Sequence, residues 1–129
     1  MTYQLEIAQK PGYLHAVVTG PNSKENVAGY MREIGRECAA RGCFRVLIEE
    51  RLDGPRLGTM DVFEIVSEGV RRARGMKAIA YVDVNARGDT MHFAETIAVN
   101  RFLPVAVFST VAEGEAWIAR GGKEEVAES

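Results

Sequence analysis

The sequence predicts an α/β fold: a mixed five-stranded sheet, built from an N-terminal β-hairpin followed by βαβ units and covered by about four helices. Three observations carry this expectation. Residues 3–19 alternate apolar and polar positions on both sides of a Pro-Gly turn. From residue 22 onward, helical periodicity alternates with short β-branched runs, giving strand, helix, strand, helix, strand, helix. Strands separated by helices must run parallel, because each helix is a crossover that returns the chain to the same end of the sheet.

Each element has its own warrant. In YQLEIA, Tyr3, Leu5 and Ile7 share one face and Gln4 and Glu6 the other. Lys10-Pro11-Gly12 then supplies a proline for the second turn position and a glycine for the third, and YLHAVVTG resumes as the returning strand. Asn22 with Glu25 three residues on reads as a capping box, with Asn in place of Ser or Thr. Val27, Met31, Ile34 and Cys38 recur at helical spacing, and Gly42 ends that helix. FRVLIEE is short and nearly continuous in its apolar part, as a buried parallel strand should be. The next helix carries a Val62, Val66, Val70 stripe with Phe63 beside it, and ends at Gly75. Arg71, Arg72 and Arg74 fall in its last turn, where cations complement the carbonyl end of the helix dipole. KAIAYVDV is the fourth strand, and Asp89 or Thr90 opens a helix carrying Met91, Ala94, Ile97 and Ala98. PVAVFS is the fifth strand. Thr110 with Glu113 forms a second capping box, opening a last helix that Trp117 and Ile118 staple to the sheet. Residues 1–120 read as one domain and 121–129 as a polar tail.

Composition narrows the function classes. Apolar residues make up 47% of the 129 and charged residues 26%, an ordinary globular balance. A net charge of −2 gives no general attraction to nucleic acid or to acidic lipid. Cys38 and Cys43 sit across a helix end with no further ligands at matching spacing, so neither a zinc site nor a disulfide framework is indicated. MTYQLEIAQK has no apolar leader core, and no run approaches the roughly 18 apolar residues of a spanning helix. The expectation is a cytoplasmic domain with no cofactor, no metal, no nucleic-acid partner and no membrane.

Strands two to five would point the same way, so their following loops gather at one edge: Gly20–Asn22, Glu49–Gly58, Asp83–Asp89 and Ser109–Thr110. Open α/β sheets bind ligands at that edge. Arg51, Arg56 and Arg87 lie there beside two helix starts, a competent setting for an anion. The plainer reading is that they pair with Asp53 and Asp89 or solvate the loops. Gly54-Pro-Arg-Leu-Gly58-Thr59 falls short of a phosphate loop, having three residues between its glycines and no Lys before the hydroxyl. Glu49 and Asp83 end neighbouring strands and could approach each other, with His92 on the same side, which would suit a metal or acid–base pair. Their scatter along the chain argues instead for solvated or helix-capping carboxylates. His15 reads as a strand-surface residue, Cys38 as a packing thiol, and no nucleophile elbow is present.

The order of elements, with "FAETIAVNRF", "VAVF" and "EAWI" in the second half, resembles the STAS superfamily, specifically its SpoIIAA-like single-domain branch, over roughly residues 3–120. The resemblance implies a STAS-like sheet with helices on its faces and a non-enzymatic role in protein association or ligand sensing. Anti-sigma-factor antagonists of this group carry an Asp-Ser-Ser-Gly motif where the middle strand runs into its helix, and a kinase phosphorylates one of those serines. Thr59 falls about where that serine would lie, which makes it the candidate phosphoacceptor. Leu57, Gly58 and Met60 stand where the motif has Asp, Ser and Gly, so the switch is degenerate, and Thr59 reads more simply as a helix N-cap. The functional expectation is a regulatory or binding module, not an enzyme, that acts by protein association and is plausible as a homodimer. Its partner edge comprises Arg51, Asp53, Arg56, Leu57, Thr59, Met60 and Arg87. The alternative is a carrier or sensor of a small anionic or apolar ligand at the same edge.

Overall fold

The computed structural model of the chain describes residues 2–54, 57–72, 75–83 and 104–121. Its elements are β1 (Gln4–Lys10), β2 (Tyr13–Pro21), α1 (Lys24–Arg41), β3 (Arg45–Asp53), α2 (Thr59–Arg72), β4 (Ala78–Asp83), β5 (Val105–Phe108) and α3 (Val111–Ala119). The strands form one mixed sheet in the order β1-β2-β3-β4-β5, antiparallel in the first pair and parallel in the rest. The α/β expectation and the hairpin hold. Gly12 takes φ 84°, as the third position of a type II turn requires.

Strand order then decides where the helices lie. The crossovers β2–α1–β3 and β3–α2–β4 step in the same direction along the sheet, so right-handedness puts α1 and α2 on the same face. Their shared core contains Leu14, Ala16 and Val18 of β2, Val46, Ile48 and Leu52 of β3, and Val27, Tyr30, Ile34 and Cys38 of α1. Ile65 of α2 and Leu57 ahead of it pack against this core. The opposite face carries α3, where Trp117 and Ile118 close over Leu47, Ala78, Ala80, Val82 and Ala106. Helix α3 lies close to the sheet because Gly114 has no side chain. A Cβ there would sit 3.0 Å from Leu47 Cδ1 and 3.1 Å from Val82 Cγ2.

Several local expectations meet the structure directly. Gly42 closes α1 in the left-handed conformation, φ 62°, with its N–H on the Ala39 carbonyl. Thr110 caps α3, its hydroxyl accepting from the Glu113 N–H at 3.2 Å and donating to Glu113 Oε1 at 3.1 Å. Three helices are described; the helix expected from Asp89 or Thr90, with Met91, Ala94, Ile97, Ala98 and His92, lies outside the described residues.

Others are corrected. The cap of α1 is Ser23, not Asn22: the Ser23 hydroxyl accepts from the Asn26 N–H at 3.1 Å. Asn22 is drawn instead into the sheet edge, its N–H donating to the Asp53 carbonyl at 2.6 Å. Strand β3 runs three residues past FRVLIEE, because β2 continues alongside it through Pro21 and Leu52 still has a core to enter. Helix α2 begins one residue earlier than an N-cap at Thr59 would allow. Val62 N–H bonds to the Gly58 carbonyl, so Gly58 holds the capping position and Thr59 is the first residue inside the helix.

The corrected cap is testable. Ser23→Ala should lower stability by about 1 kcal/mol, and Ser23→Asp should leave it nearly unchanged, in denaturant titrations. An unchanged midpoint for Ser23→Ala would mean that α1 does not start where the structure starts it.

Candidate functional site

Strand β3 is the centre of the sheet, and its side chains alternate between the two faces. Val46, Ile48 and Leu52 enter the α1 side, and Leu47 the α3 side. The alternation forces the adjacent Glu49 and Glu50 to opposite faces, and both are buried. A buried carboxylate is tolerated only when its oxygens are satisfied, so each has collected its own set of donors.

On the α1 side, Tyr30 of α1 and Tyr81 of β4 both donate their hydroxyls to Glu50 Oε2, and the two phenols also contact each other. Tyr30 is fully enclosed, and Tyr81 nearly so. Burial, reinforced by the neighbouring carboxylate, pushes both phenols well above their ordinary pKa of 10, so they remain protonated donors at neutral pH. Glu50 pairs in register with Asp83, which is also buried, so two carboxylates share this face at the C-terminal end of the central strands.

On the α3 side, Glu49 Oε1 accepts from His15 Nε2 at 2.9 Å, and Oε2 is gripped by the Arg51 guanidinium through Nε and an Nη. A carboxylate can only accept, so Nε2 of His15 carries the proton in this contact. Desolvation would raise the Glu49 carboxyl, but the hydrogen bonds and charges of His15 and Arg51 outweigh it and hold the group below its ordinary 4.5. His15 is therefore not a plain surface residue. It belongs to a His–Glu–Arg cluster on the sheet face that α3 only partly covers.

The same geometry removes one expected pair. Glu49 is in register with Val82, and Asp83 with Glu50, so Glu49 and Asp83 point to opposite faces and cannot share a substrate or a metal. Among the described residues, no three His, Cys, Asp or Glu side chains come together as a metal-holding group.

The residues of the expected partner edge are dispersed. Arg51 and Asp53 belong to β3 and not to a loop, and Arg51 is tied to Glu49, not to Asp53. Asp53 is exposed at the strand end. Leu57 is half-buried against the α1-side core. Met60 stands out from the first turn of α2 with 71% of its surface exposed. Arg56 and Arg87 lie outside the described residues, so their convergence with Arg51 is not part of the geometry.

What sequence reasoning missed is the tyrosine set. Each of the four tyrosines donates its hydroxyl to a glutamate: Tyr3 to Glu33, Tyr13 to Glu115, and Tyr30 and Tyr81 to Glu50. The available signal was Tyr30 on the apolar stripe of α1 between Val27 and Ile34. A phenol there needs a partner that the apolar positions around it cannot supply.

No protein-family profile matches the sequence, and no curated protein does either. Among solved structures, the chain is similar to an uncharacterised protein from the DUF3478 family with a SpoIIAA-like fold, from Shewanella loihica PV-4. The TM-score is 0.53 at 18% identity, over 89% of this chain and 92% of that one. The fold is SpoIIAA-like. Strand β3 is the middle strand of this sheet, and Thr59 is the first residue of α2, the next helix in the chain. Among the described residues, no helix is long and apolar enough to cross a membrane.

The Glu49 cluster makes a pH prediction. Its carboxyl is held below 4.5 in the folded state, so its stabilising contribution is complete above that value and is lost as pH falls through the folded pKa. Glu49→Gln should lower stability by about 1–2 kcal/mol at pH 7. It should also make the fall in melting temperature below pH 4.5 shallower than in the unaltered protein. Parallel acid limbs for the two proteins would show that Glu49 is not anchored by His15 and Arg51.

Proposed function

We propose that this SpoIIAA-like domain is a non-enzymatic binding or regulatory module that acts by protein association through the start of α2. The observation that carries the reading is Met60, a large apolar side chain left 71% exposed on the first turn of that helix. Its neighbour Leu57 folds back onto the core and so anchors the segment that presents it. An exposed methionine on a rigid helix is an adaptable contact for an apolar partner surface.

The chemistry of the buried acids supports the same reading. Glu50 is occupied by two phenols and Glu49 by an imidazole and a guanidinium. A carboxylate already held below its ordinary pKa is a weak base, and phenols pushed well above theirs are weak acids. These groups hold the sheet together and are poorly suited to general acid–base work. The resemblance to anti-sigma-factor antagonists points to the same helix start as a contact surface, with Thr59 retained as a hydroxyl in a degenerate motif. The free thiols Cys38 and Cys43 fit a reducing cytoplasm.

The test places a photo-crosslinking side chain at position 60 and, as a control, at the partly exposed Glu37 of α1, in the cells that make the protein. The expected outcome is a discrete protein adduct from position 60 and none from position 37. Met60→Glu should weaken association with that protein at least tenfold while changing stability by less than about 0.5 kcal/mol. No adduct at position 60, together with a saturable rise in melting temperature on adding inorganic phosphate that disappears when Arg51, Arg56 and Arg87 are neutralised, would establish the small-ligand alternative instead.

A further inference from the structure

Strand β1 is one edge of the sheet: among the described residues it pairs only with β2. The hairpin register determines what that edge offers. Lys10 and Tyr13 close the two-residue turn, and the closing pair of such a hairpin is hydrogen-bonded. Counting back by twos, the backbone groups of Lys10, Ala8, Glu6 and Gln4 turn toward β2, and those of Gln9, Ile7 and Leu5 turn outward. Three consecutive outward donor–acceptor positions are a template for a further strand.

The charges on this strand identify the strand that fits. Glu6 and Lys10 are both exposed and share one face with Ala8, and neither forms an ion pair among the described residues. They lie at equal distances on either side of Ala8 and have opposite sign. An antiparallel copy of β1 related by a two-fold axis through Ala8 would place Glu6 opposite Lys10 of the partner subunit, and Lys10 opposite Glu6 of the partner subunit. Both would be non-hydrogen-bonded pairs, where cross-strand side chains come closest. Ile7 and Gln9 would exchange the backbone hydrogen bonds, and the small Ala8 would sit on the axis. The other registers are poorer. An axis through Glu6 opposes like charges, and an axis through Ile7 leaves Glu6 facing Ala8 of the partner subunit with no counter-charge.

We infer that β1 is a homodimerisation edge, joining two copies into a continuous ten-stranded sheet in the register centred on Ala8. A charged edge strand is often a guard against association. A guard repels in every register, whereas Glu6 and Lys10 complement their own copies in this one. Strand β2 separates this edge from β3 and the start of α2 that carries Met60, and neither Glu6 nor Lys10 belongs to the proposed association surface, so the inference stands independently of it.

Sedimentation equilibrium tests it with four full-length variants. The unaltered chain should fit twice its 14.2 kDa mass at high concentration and dissociate on dilution. Glu6→Lys and Lys10→Glu should each weaken the dimer about tenfold or more, by turning two attractive pairs into two repulsive ones. The double variant Glu6→Lys/Lys10→Glu should recover an affinity within about threefold of the original, because it restores both pairs with reversed sign. Gln9→Pro, which removes an outward N–H and the side-chain amide's exposed bonds to the Lys10 and Tyr13 carbonyls but no backbone bond of the hairpin ladder, should give a monomer with an unchanged circular dichroism spectrum. The inference is overturned by a unaltered chain that stays monomeric at every concentration, by a double variant no stronger than the singles, or by a Gln9→Pro dimer of undiminished affinity.

Discussion

Two acidic neighbours on the central strand, Glu49 and Glu50, set the constraint from which much of this molecule follows. Strand geometry sends them to opposite faces, and the helices and flanking strands bury both. An isolated charge in such surroundings costs several kcal/mol, so donors must be delivered to each face. Glu50 draws on α1 and β4 through Tyr30 and Tyr81. Glu49 draws on β2 through His15 and on its own strand through Arg51. Each carboxylate therefore ties β3 to other elements by hydrogen bonds, which specify direction in a way that apolar packing alone does not.

The rest of the architecture is consistent with that centre. Helices α1 and α2 share a face because both crossovers step the same way, which brings Tyr30 over the C-terminal half of β3. Exposed pairs, Lys24 with Glu64 and Arg32 with Glu68, bridge the two helices but add little stability. On the opposite face, α3 can approach only because Gly114 lets it, and Trp117 fills the space over Ala80 and Ala106. What the core does not consume, among the described residues, includes an exposed methionine at a helix start and an edge strand.

Much of the fold was legible in the sequence because it is written in periodicity and turn chemistry. The alternation in residues 3–19, Gly12 in the turn, Gly42 at the end of α1 and the Thr110–Glu113 cap each have a local cause and appear as expected. The misreadings have non-local causes. Asn22 was a sound cap by composition, but the end of β3 claims its N–H, and Ser23 takes the role. Arg51 and Asp53 read as loop until β2 is known to extend beside them. Glu49 reads as a solvated or helix-capping acid and Glu50 as the end of a strand, because nothing nearby in the chain announces that Tyr30, Tyr81 and His15 will converge on them. Of the candidate edge, Leu57 and Met60 divided into an anchor and an exposed contact, a distinction that depends on the orientation of α2 and not on its composition.

A double-mutant cycle on Glu50→Gln and Tyr81→Phe tests the central claim most directly, with stability read from denaturant unfolding. If Glu50 is a structural anchor held by the phenols, each single change should cost about 1–3 kcal/mol. The double variant should then be more stable than the sum of the two losses implies, with a coupling of about 1 kcal/mol or more. Strictly additive losses, or a Glu50→Gln protein as stable as the original, would contradict the account and mean that this carboxylate is not what secures the centre of the sheet.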